Sequence, residues 1–156
     1  MNKIGQFITT VVIGGFAVIL IAMVVLTSNR AANPVNGSLH SALEKISAQN
    51  LHATAIAPAD VYGDDWVGAA ILCPGTDGDD VAAQLQVNAE DLGVNGVVGD
   101  NENFLVVVNA AGQAFGEKLD RSEVDLCASQ VPGGFDARMM IPLVKDGDGA
   151  WTLVAN

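Results

Sequence analysis

Residues 8–27 read ITTVVIGGFAVILIAMVVLT, twenty positions without a charge, a proline or an amide side chain. An α-helix of that length spans about 30 Å, the thickness of a bilayer's hydrocarbon core. The stretch therefore predicts one transmembrane helix. It divides the chain into a cytoplasmic N-terminus (1–7), the helix (8–27), a linker (28–37) and one folded domain (38–156), which we expect at a membrane surface.

The charges beside this helix set its direction, because positive residues stay on the cytoplasmic side. Lys3 and the α-amino group precede the helix and Arg30 follows it, so the local bias is weak. The short N-terminus and the acidic domain favour a cytoplasmic N-terminus and an extracytoplasmic domain. A cleaved signal peptide is the alternative, but Asn29, Arg30, Ala31 and Ala32 make a poor cleavage site. We expect an uncleaved, single-pass anchor in the cell membrane.

One side of the predicted transmembrane helix carries small residues. Thr10, Gly14, Val18 and Ala22 recur at intervals of four, and Gly15 adjoins this stripe. Small side chains let two membrane helices approach closely and pack through van der Waals contacts. The stripe therefore predicts packing against an integral membrane protein within the lipid bilayer. The alternative is that glycine is simply common in membrane helices.

Acidic residues dominate the folded domain. It holds five basic residues against all 18 acidic ones, a net charge of −13. Nucleic acid is excluded as a partner, because phosphate contacts need a positive surface. No lysine or arginine lies between Lys45 and Lys118, which predicts an acidic docking surface for a basic protein; solubility alone is the alternative. The predicted surface comprises Asp60, Asp64, Asp65, Asp77, Asp79, Asp80, Glu90 and Asp91.

Apolar periodicity predicts a domain of the α/β or α+β class, with one central mixed sheet flanked by about three helices. Ser38 is expected to cap the first helix, and Pro142 to lie in an edge or bulged strand. Further helices are expected over 79–92 and from about 120 to 131. Strands are expected over 51–57, 66–72, 94–98, 104–109, 138–144 and 150–155, with the third and fourth, and the fifth and sixth, pairing as hairpins.

Cys73 and Cys127 are the only cysteines in the chain. An even number in a domain placed outside the cytoplasm predicts a disulfide. Closing a loop of about 55 residues would stabilise the fold by roughly 4 kcal/mol in the chain-entropy model. The alternative is that the two thiols carry out redox chemistry.

Part of the domain resembles the thioredoxin fold. Residues 73–75 (CPG) stand between a predicted buried strand and a predicted helix, and Ile141-Pro142 precedes a hairpin that ends at 145–147 (KDG). The resemblance implies a redox protein in which a cysteine opens that helix. Thr76 stands where the family has its second active-site cysteine, so the dithiol chemistry is not implied, and Cys127 is the remaining partner.

No metal, cofactor or catalytic site is predicted. His40 and His52 are the only histidines, and they cannot form a zinc site with the cysteines unless the disulfide is lost. Segments 77–80 (DGDD) and 146–149 (DGDG) are similar to calcium loops, but neither has a glutamate at the twelfth position. Turn formation explains both segments, and we do not expect an enzyme.

These features together predict a membrane-tethered interaction module. In layout and composition the chain resembles the small single-pass envelope proteins of actinobacteria, which include accessory subunits of large membrane complexes such as the respiratory supercomplex. The resemblance implies a non-catalytic accessory subunit. Two alternatives remain open: a thioredoxin-fold thiol redox protein, and an envelope module that binds a cation or another ligand.

Overall fold

Helix α1 (Leu39–Ser47) opens the part of the chain that the computed structural model describes, residues 38–129 and 133–154. Ser38 caps the helix as predicted, because its hydroxyl accepts a hydrogen bond from the Ser41 backbone N–H at 3.1 Å. Leu39 and Leu43 are buried on one side of the helix, while Glu44 is exposed on the other. The predicted amphipathic helix is confirmed.

The described residues form a mixed α/β domain with two sheets instead of the single central sheet that the sequence predicts. The helices after α1 are α2 (Pro58–Tyr62), α3 (Gly78–Leu85) and a 3₁₀ helix (Ala89–Leu92). The strands are β1 (Ala53–Ile56), β2 (Trp66–Leu72), β3 (Glu102–Asn109), β4 (Ala114–Asp120), β5 (Val124–Asp125), β6 (Phe135–Asp136), β7 (Ile141–Lys145) and β8 (Trp151–Leu153). Sheet A has the order β1-β7-β8-β5, and sheet B has the order β4-β3-β2-β6.

Alternation along β3 shows how the layers are stacked. Leu105 and Val107 face a main core that sheet B shares with sheet A, α1 and α2. Phe104 and Val106 face a second core on the other side of sheet B, which α3 and the 3₁₀ helix cover. The layers therefore follow the order sheet A, main core, sheet B, second core, and α3 with the 3₁₀ helix. The apolar run of β3 is therefore buried on both faces.

The predicted helix over 79–92 is interrupted. Helix α3 ends at Leu85, and Gln86 takes a left-handed conformation with φ of 57°. The chain then continues into the 3₁₀ helix, which ends at Gly93. Ala82 and Leu92 still reach the second core although the helix is not continuous.

The predicted helix from about 120 to 131 is wrong. Its described part contains strand β5, which pairs in parallel with β8, and several turns. The buried Asn103 side chain binds this segment: its Nδ2 donates to the Val124 carbonyl at 2.9 Å, and its Oδ1 accepts from the Leu126 N–H at 3.1 Å. These contacts from another strand satisfy the backbone in place of helical hydrogen bonds.

The two predicted hairpins have different outcomes. The pairing of 94–98 with 104–109 is wrong, because β3 pairs with β2 and β4 and Val97 makes only an isolated bridge to Asp77. The hairpin of β7 and β8 is confirmed. Pro142 lies in a central strand and not at an edge; the sheet accommodates its missing N–H because β8 ends at Leu153, before the residue opposite Pro142.

The predicted cytoplasmic N-terminus, transmembrane helix and linker, residues 1–37, lie outside the described residues. The predicted helix-packing residues Thr10, Gly14, Gly15 and Ala22 lie there too. Within 38–129 and 133–154, no helix has the length and apolar character needed to cross a bilayer.

Candidate functional site

Four of the predicted acidic residues lie together in one layer of the domain. Asp79 and Asp80 are exposed in the first turn of α3, and Glu90 and Asp91 are exposed in the 3₁₀ helix. The two helices contact each other and cover the same face of sheet B. None of the four carboxylates takes part in a salt bridge within the described residues. We call these four residues the acidic layer.

Asp77, another residue of the predicted docking surface, lies at the start of α3 and has a structural role. Its Oδ1 accepts hydrogen bonds from the backbone N–H groups of Asp79 at 2.9 Å and Asp80 at 3.4 Å. Asp77 is therefore the N-cap of α3, and the positive end of the helix dipole favours the acidic residues that follow it.

The other three predicted acidic residues lie elsewhere. Asp60 is exposed in α2, and Asp64 and Asp65 are exposed in the turn that leads into β2. Helix α2 packs into the main core through Ala59 and Tyr62, on the side of sheet B opposite to the acidic layer. The eight residues thus fall into two groups on different layers.

Cys73 and Cys127 form the predicted disulfide, with their Cα atoms 5.7 Å apart. Cys73 follows β2 of sheet B and Cys127 follows β5 of sheet A, so the bond joins the two sheets. The Cys127 N–H donates to Asp125 Oδ1 at 2.8 Å, and Arg121 Nη2 donates to Asp125 Oδ2 at 2.8 Å. Helix α3 begins at Gly78, so Cys73 does not occupy a helix N-terminus.

A groove of about 550 Å³ lies between α1 and the loops that precede β5 and β8. At one end, His40 Nε2 lies 3.2 Å from Glu123 Oε2, and His40 Nδ1 lies 3.9 Å from Glu44 Oε2. His52 is exposed just before β1. In the part of the chain that the structure describes, no three side chains of His, Cys, Asp or Glu are placed to hold a metal ion.

The other end of this groove is also held by internal contacts. Lys145 Nζ and Trp151 Nε1 both donate to Ser47 Oγ, at 3.3 Å and 3.1 Å. The Lys145 ammonium also lies 5.9 Å from the centre of the Trp151 ring, a cation–π contact. These contacts fix α1 to the hairpin of β7 and β8, so the groove has a structural explanation.

Of the two segments that are similar to calcium loops, 146–149 forms a turn as predicted, whereas 77–80 forms the start of helix α3. Asp146 Oδ1 accepts from the backbone N–H groups of Asp148 at 3.0 Å and Ala150 at 2.9 Å. This is the turn chemistry that aspartate favours, because its short side chain satisfies nearby backbone donors. Asp77 does the same at α3.

The sequence pattern does not predict the role of Glu117, a residue of β4. Its carboxylate accepts from the N–H groups of Leu39 at 2.8 Å and His40 at 3.2 Å, the first residues of α1. It also accepts from the Tyr62 hydroxyl at 2.5 Å. Glu117 therefore fixes the start of α1, where the domain begins. Its partners are distant in the sequence, and no local pattern pairs them with it.

Tyr62 is fully buried beside this carboxylate. Burial raises the pKa of Tyr62 far above its usual value, and the negative charge of Glu117 and the hydrogen bond to it raise that pKa further. The phenol therefore stays protonated and serves as a permanent donor to Glu117. The arrangement holds structure and offers no proton for catalysis at neutral pH.

The described residues thus offer an acidic layer, a disulfide between the two sheets and a groove whose polar groups bind one another. No protein-family model, curated protein or solved structure matches this chain.

Proposed function

We propose that this chain is a membrane-anchored, extracytoplasmic accessory subunit of a larger membrane protein complex, without catalysis of its own. The observation that carries the proposal is the acidic layer, Asp79, Asp80, Glu90 and Asp91. These carboxylates are exposed, unpaired with any cation in the described residues, and set on two helices that contact each other. A surface of this kind attracts and orients a basic partner protein.

The sequence supports a second contact with the same complex. Residues 8–27 are long and apolar enough for a transmembrane helix, and Thr10, Gly14, Gly15 and Ala22 supply small side chains for packing against another membrane helix. In this proposal the partner is an integral membrane assembly of the kind that the layout suggests, such as a respiratory supercomplex. The helix gives a contact that salt does not remove, and the acidic layer gives one that salt weakens.

Co-purification from native membranes in a mild detergent tests the proposal. The tagged chain should bring its complex with it at both low and high salt. A variant with the acidic layer neutralised (Asp79→Asn, Asp80→Asn, Glu90→Gln and Asp91→Asn) should lose cross-links between the domain and the partner. The matched control removes four exposed acids from other places (Asp60→Asn, Asp64→Asn, Asp65→Asn and Asp148→Asn) and should keep those cross-links.

A salt series and a substitution in the predicted transmembrane helix distinguish the two contacts. Cross-links through the acidic layer should weaken between about 0.1 M and 1 M salt, because the Debye length falls from about 10 Å to about 3 Å. Gly14→Leu should release the whole chain, since a large side chain keeps two membrane helices apart. A chain that purifies alone as a monomer, with no change on Gly14→Leu, would contradict the proposal.

Thiol redox chemistry is the second candidate, because the two cysteines are already joined and both are only half buried. A redox role requires the Cys73–Cys127 bond to be reduced and re-formed in turnover, with a low thiol pKa at one of them. Insulin reduction by the purified chain measures this directly. A structural bond gives no turnover, and measurable turnover that is lost on Cys73→Ser would favour the redox function.

A further inference from the structure

Exposed apolar side chains are concentrated in the strands of sheet A and in the residues next to them. Seven large hydrophobic residues in the described part of the chain are at least 37% exposed. Val67 and Val97 lie apart from the rest. The other five lie on sheet A or beside its strands: Leu51, Met139, Met140, Val144 and Val154.

The pairing of the strands shows why Val144 and Val154 share a face. Ile56, Ile141, Leu143 and Leu153 point into the main core. Because side chains alternate along a strand, the residues between these positions point away from the main core. The register aligns them across the strands: Ala53 lies opposite Val144, Ala55 opposite Pro142, and Val144 opposite Thr152. The Val154 N–H donates to the Pro142 carbonyl at 3.1 Å, which brings Val154 into the same row. We call six outward positions in and directly after these strands the outer face of sheet A: Ala53, Ala55, Pro142, Val144, Thr152 and Val154.

The composition of this face is unusual for a sheet with one free side. An antiparallel sheet of this kind normally presents polar residues to water, whereas five of these six positions are apolar and none is charged. The charge nearest to these positions in the register is Asp125 of β5, which lies opposite Thr152 at the far edge of the sheet. Its carboxylate is paired with Arg121. We therefore treat this contiguous, uncharged face as a candidate interaction site.

The edge of the sheet is open on the same side. The Lys145 N–H donates to the His52 carbonyl at 2.8 Å, so alternation turns the backbone groups of Ala53 and Ala55 away from β7. Both residues are exposed, and their outward backbone groups have no partner in the described part of the chain. No residue in the described part of the chain therefore pairs with this edge or covers this face.

We infer that the outer face of sheet A rests on the lipid bilayer, in the boundary between headgroups and acyl chains. The inference deepens the proposed function and rests on its membrane anchor. Three short strands cover roughly 200–300 Å², so two copies would bury at most about 600 Å² together, well under the 1,000 Å² or so that a stable protein interface needs. A bilayer needs no such area when a tether holds the domain beside it.

The distribution of charge and the length of the linker both agree with a bilayer on this face. The acidic layer lies on the far side of sheet B, so a bilayer on the outer face of sheet A meets the side of the domain away from those four carboxylates. The linker over 28–37 has ten residues and reaches at most about 35 Å, which keeps the domain near the predicted anchor. Met140 directly precedes β7 and is 60% exposed. Its flexible, apolar side chain can adapt to disordered acyl chains.

Depth-dependent fluorescence quenching tests the inference on the full chain in phosphatidylcholine vesicles with nitroxide-labelled acyl chains. The native cysteines are bonded, so Met140→Cys or Ala83→Cys supplies the single thiol for an environment-sensitive dye. Ala83 is exposed on α3, on the opposite side of the domain. Quenching should be several-fold greater at position 140 than at position 83. The difference should persist when anionic lipid is added, because the acidic layer faces away.

A matched pair of substitutions tests the apolar face itself. Added to the Met140→Cys chain, Val144→Lys should lower the quenching to the level seen at position 83, whereas Val97→Lys should leave it unchanged. Val97 is also an exposed valine, 59% exposed, but it lies beside Asp77 at the other side of the domain. Retained tryptophan fluorescence shows that each variant is folded, because Trp66 and Trp151 are both buried.

The remaining outcomes overturn the inference in different ways. Equal quenching at 140 and 83, with the chain floating on the vesicles, would overturn lipid docking alone. Disulfide-linked dimers of the Met140→Cys chain at low protein-to-lipid ratio would identify a second copy as the occupant instead. A chain that does not float with vesicles would overturn the anchor and the docking together, and co-purification of the complex reports on the accessory role separately.

Discussion

Glu117 joins three segments that are far apart in the sequence. Its carboxylate binds the first N–H groups of α1 and the hydroxyl of Tyr62. A negative charge at this place is favourable, because the free N–H groups and the dipole make a helix N-terminus positive. Burial raises the pKa of Tyr62, and the same charge raises it further. One side chain therefore fixes the start of the domain and helps to keep its neighbour protonated.

Tyr62 gives a direct measurement of this site, because it is the only tyrosine in the chain. Burial and Glu117 raise its pKa in the folded state, while in the unfolded state it should ionise near pH 10. Above pH 10 the unfolded state therefore loses the phenol proton while the folded state keeps it. The free energy of unfolding should be unaffected by this group below pH 10 and should fall above it, by up to about 1.4 kcal/mol per pH unit. Tyrosinate absorbance should appear only as the protein unfolds. Ionisation near pH 10 in the folded protein would contradict this account.

Glu117→Gln separates the effect of the carboxylate from that of burial. The tyrosinate titration should move to lower pH than in the native chain but stay above the value in urea, because burial remains. The free energy of unfolding should fall by about 1–2 kcal/mol, since an amide accepts fewer hydrogen bonds than a carboxylate. Glu90→Gln, an exposed control, should change neither quantity. An unchanged titration in Glu117→Gln would show that Glu117 does not influence Tyr62.

Asn103 is the buried polar residue of the described core, and all its polar atoms are bonded. Its Nδ2 donates to the carbonyls of Leu119 at 3.2 Å and Val124 at 2.9 Å, and its Oδ1 accepts from Leu126. Asn103→Ala should lower the free energy of unfolding by about 2–4 kcal/mol, because buried backbone groups lose their partners. Denaturant titration of tryptophan fluorescence measures this. Asn101→Ala, at an exposed position, should cost less than about 0.5 kcal/mol, and equal effects would refute the assignment.

Individual residues were predictable from the sequence only where their partners lie nearby in the chain. Ser38, Asp77 and Asp146 bind backbone donors a few positions ahead, and their residue types indicate this role. Glu117 and Asn103 have partners on other elements. Both look like ordinary surface residues in the sequence, because nothing local distinguishes them.

At the scale of elements, the 3₁₀ helix positions half of the acidic layer. It packs against β4 at Gly116, where an added Cβ would overlap the carbonyl oxygen of Leu92. That oxygen belongs to backbone, so it cannot turn aside as a flexible side chain would. The close approach lets Leu92 reach the second core while Glu90 and Asp91 stay exposed.

Gly116→Ala should therefore separate the 3₁₀ helix from sheet B. We expect a loss of about 3 kcal/mol in the free energy of unfolding, the range for overpacking, measured by urea titration. Gly147→Ala is the matched control, since an added Cβ there meets nothing within 4 Å and φ is not in the left-handed region. It should be neutral within about 0.5 kcal/mol. A neutral Gly116→Ala would mean that the two elements do not approach this closely.

Elements were predictable where one periodicity extended through the whole segment. The strands around 66–72 and 104–109, helix α1 and the hairpin of β7 and β8 all occur in the described chain. The helix expected near 120–131 does not, because Asn103 binds its backbone from another strand. The segment instead brings Val124 and Leu126, two positions apart, into the main core. Its apolar residues are close enough together to suit either a helix or this short strand with its turns, so periodicity alone could not separate the two structures.

At the scale of the molecule, the Cys73–Cys127 bond is the covalent link between the sheets. Replacing both cysteines by serine should cost about 2–5 kcal/mol, because the unfolded chain regains the freedom of a long loop. Urea titration of the native and the double variant gives the difference. Reduction of the native chain should give the same loss, and a variant as stable as the native chain would show that the bond contributes nothing.

The acidic layer and the outer face of sheet A give the domain two chemically different sides. The −13 charge of the domain and the apolar stretch over 8–27 indicated a tethered acidic module from the sequence alone. The apolar outer face was not predictable, because Ala53, Ala55, Val144 and Val154 come from three strands whose register only the fold provides. Strand alternation is visible in the sequence, but the side left uncovered is not.

The central claim is that residues 8–27 hold this domain on the outer surface of a membrane. Gln49→Cys places a thiol on an exposed position of the domain while the native cysteines stay bonded. A membrane-impermeant maleimide should label this variant on intact cells, and the labelled chain should remain in the membrane pellet after an alkaline carbonate wash. Labelling only after lysis, or release of the chain into the soluble fraction, would contradict the claim.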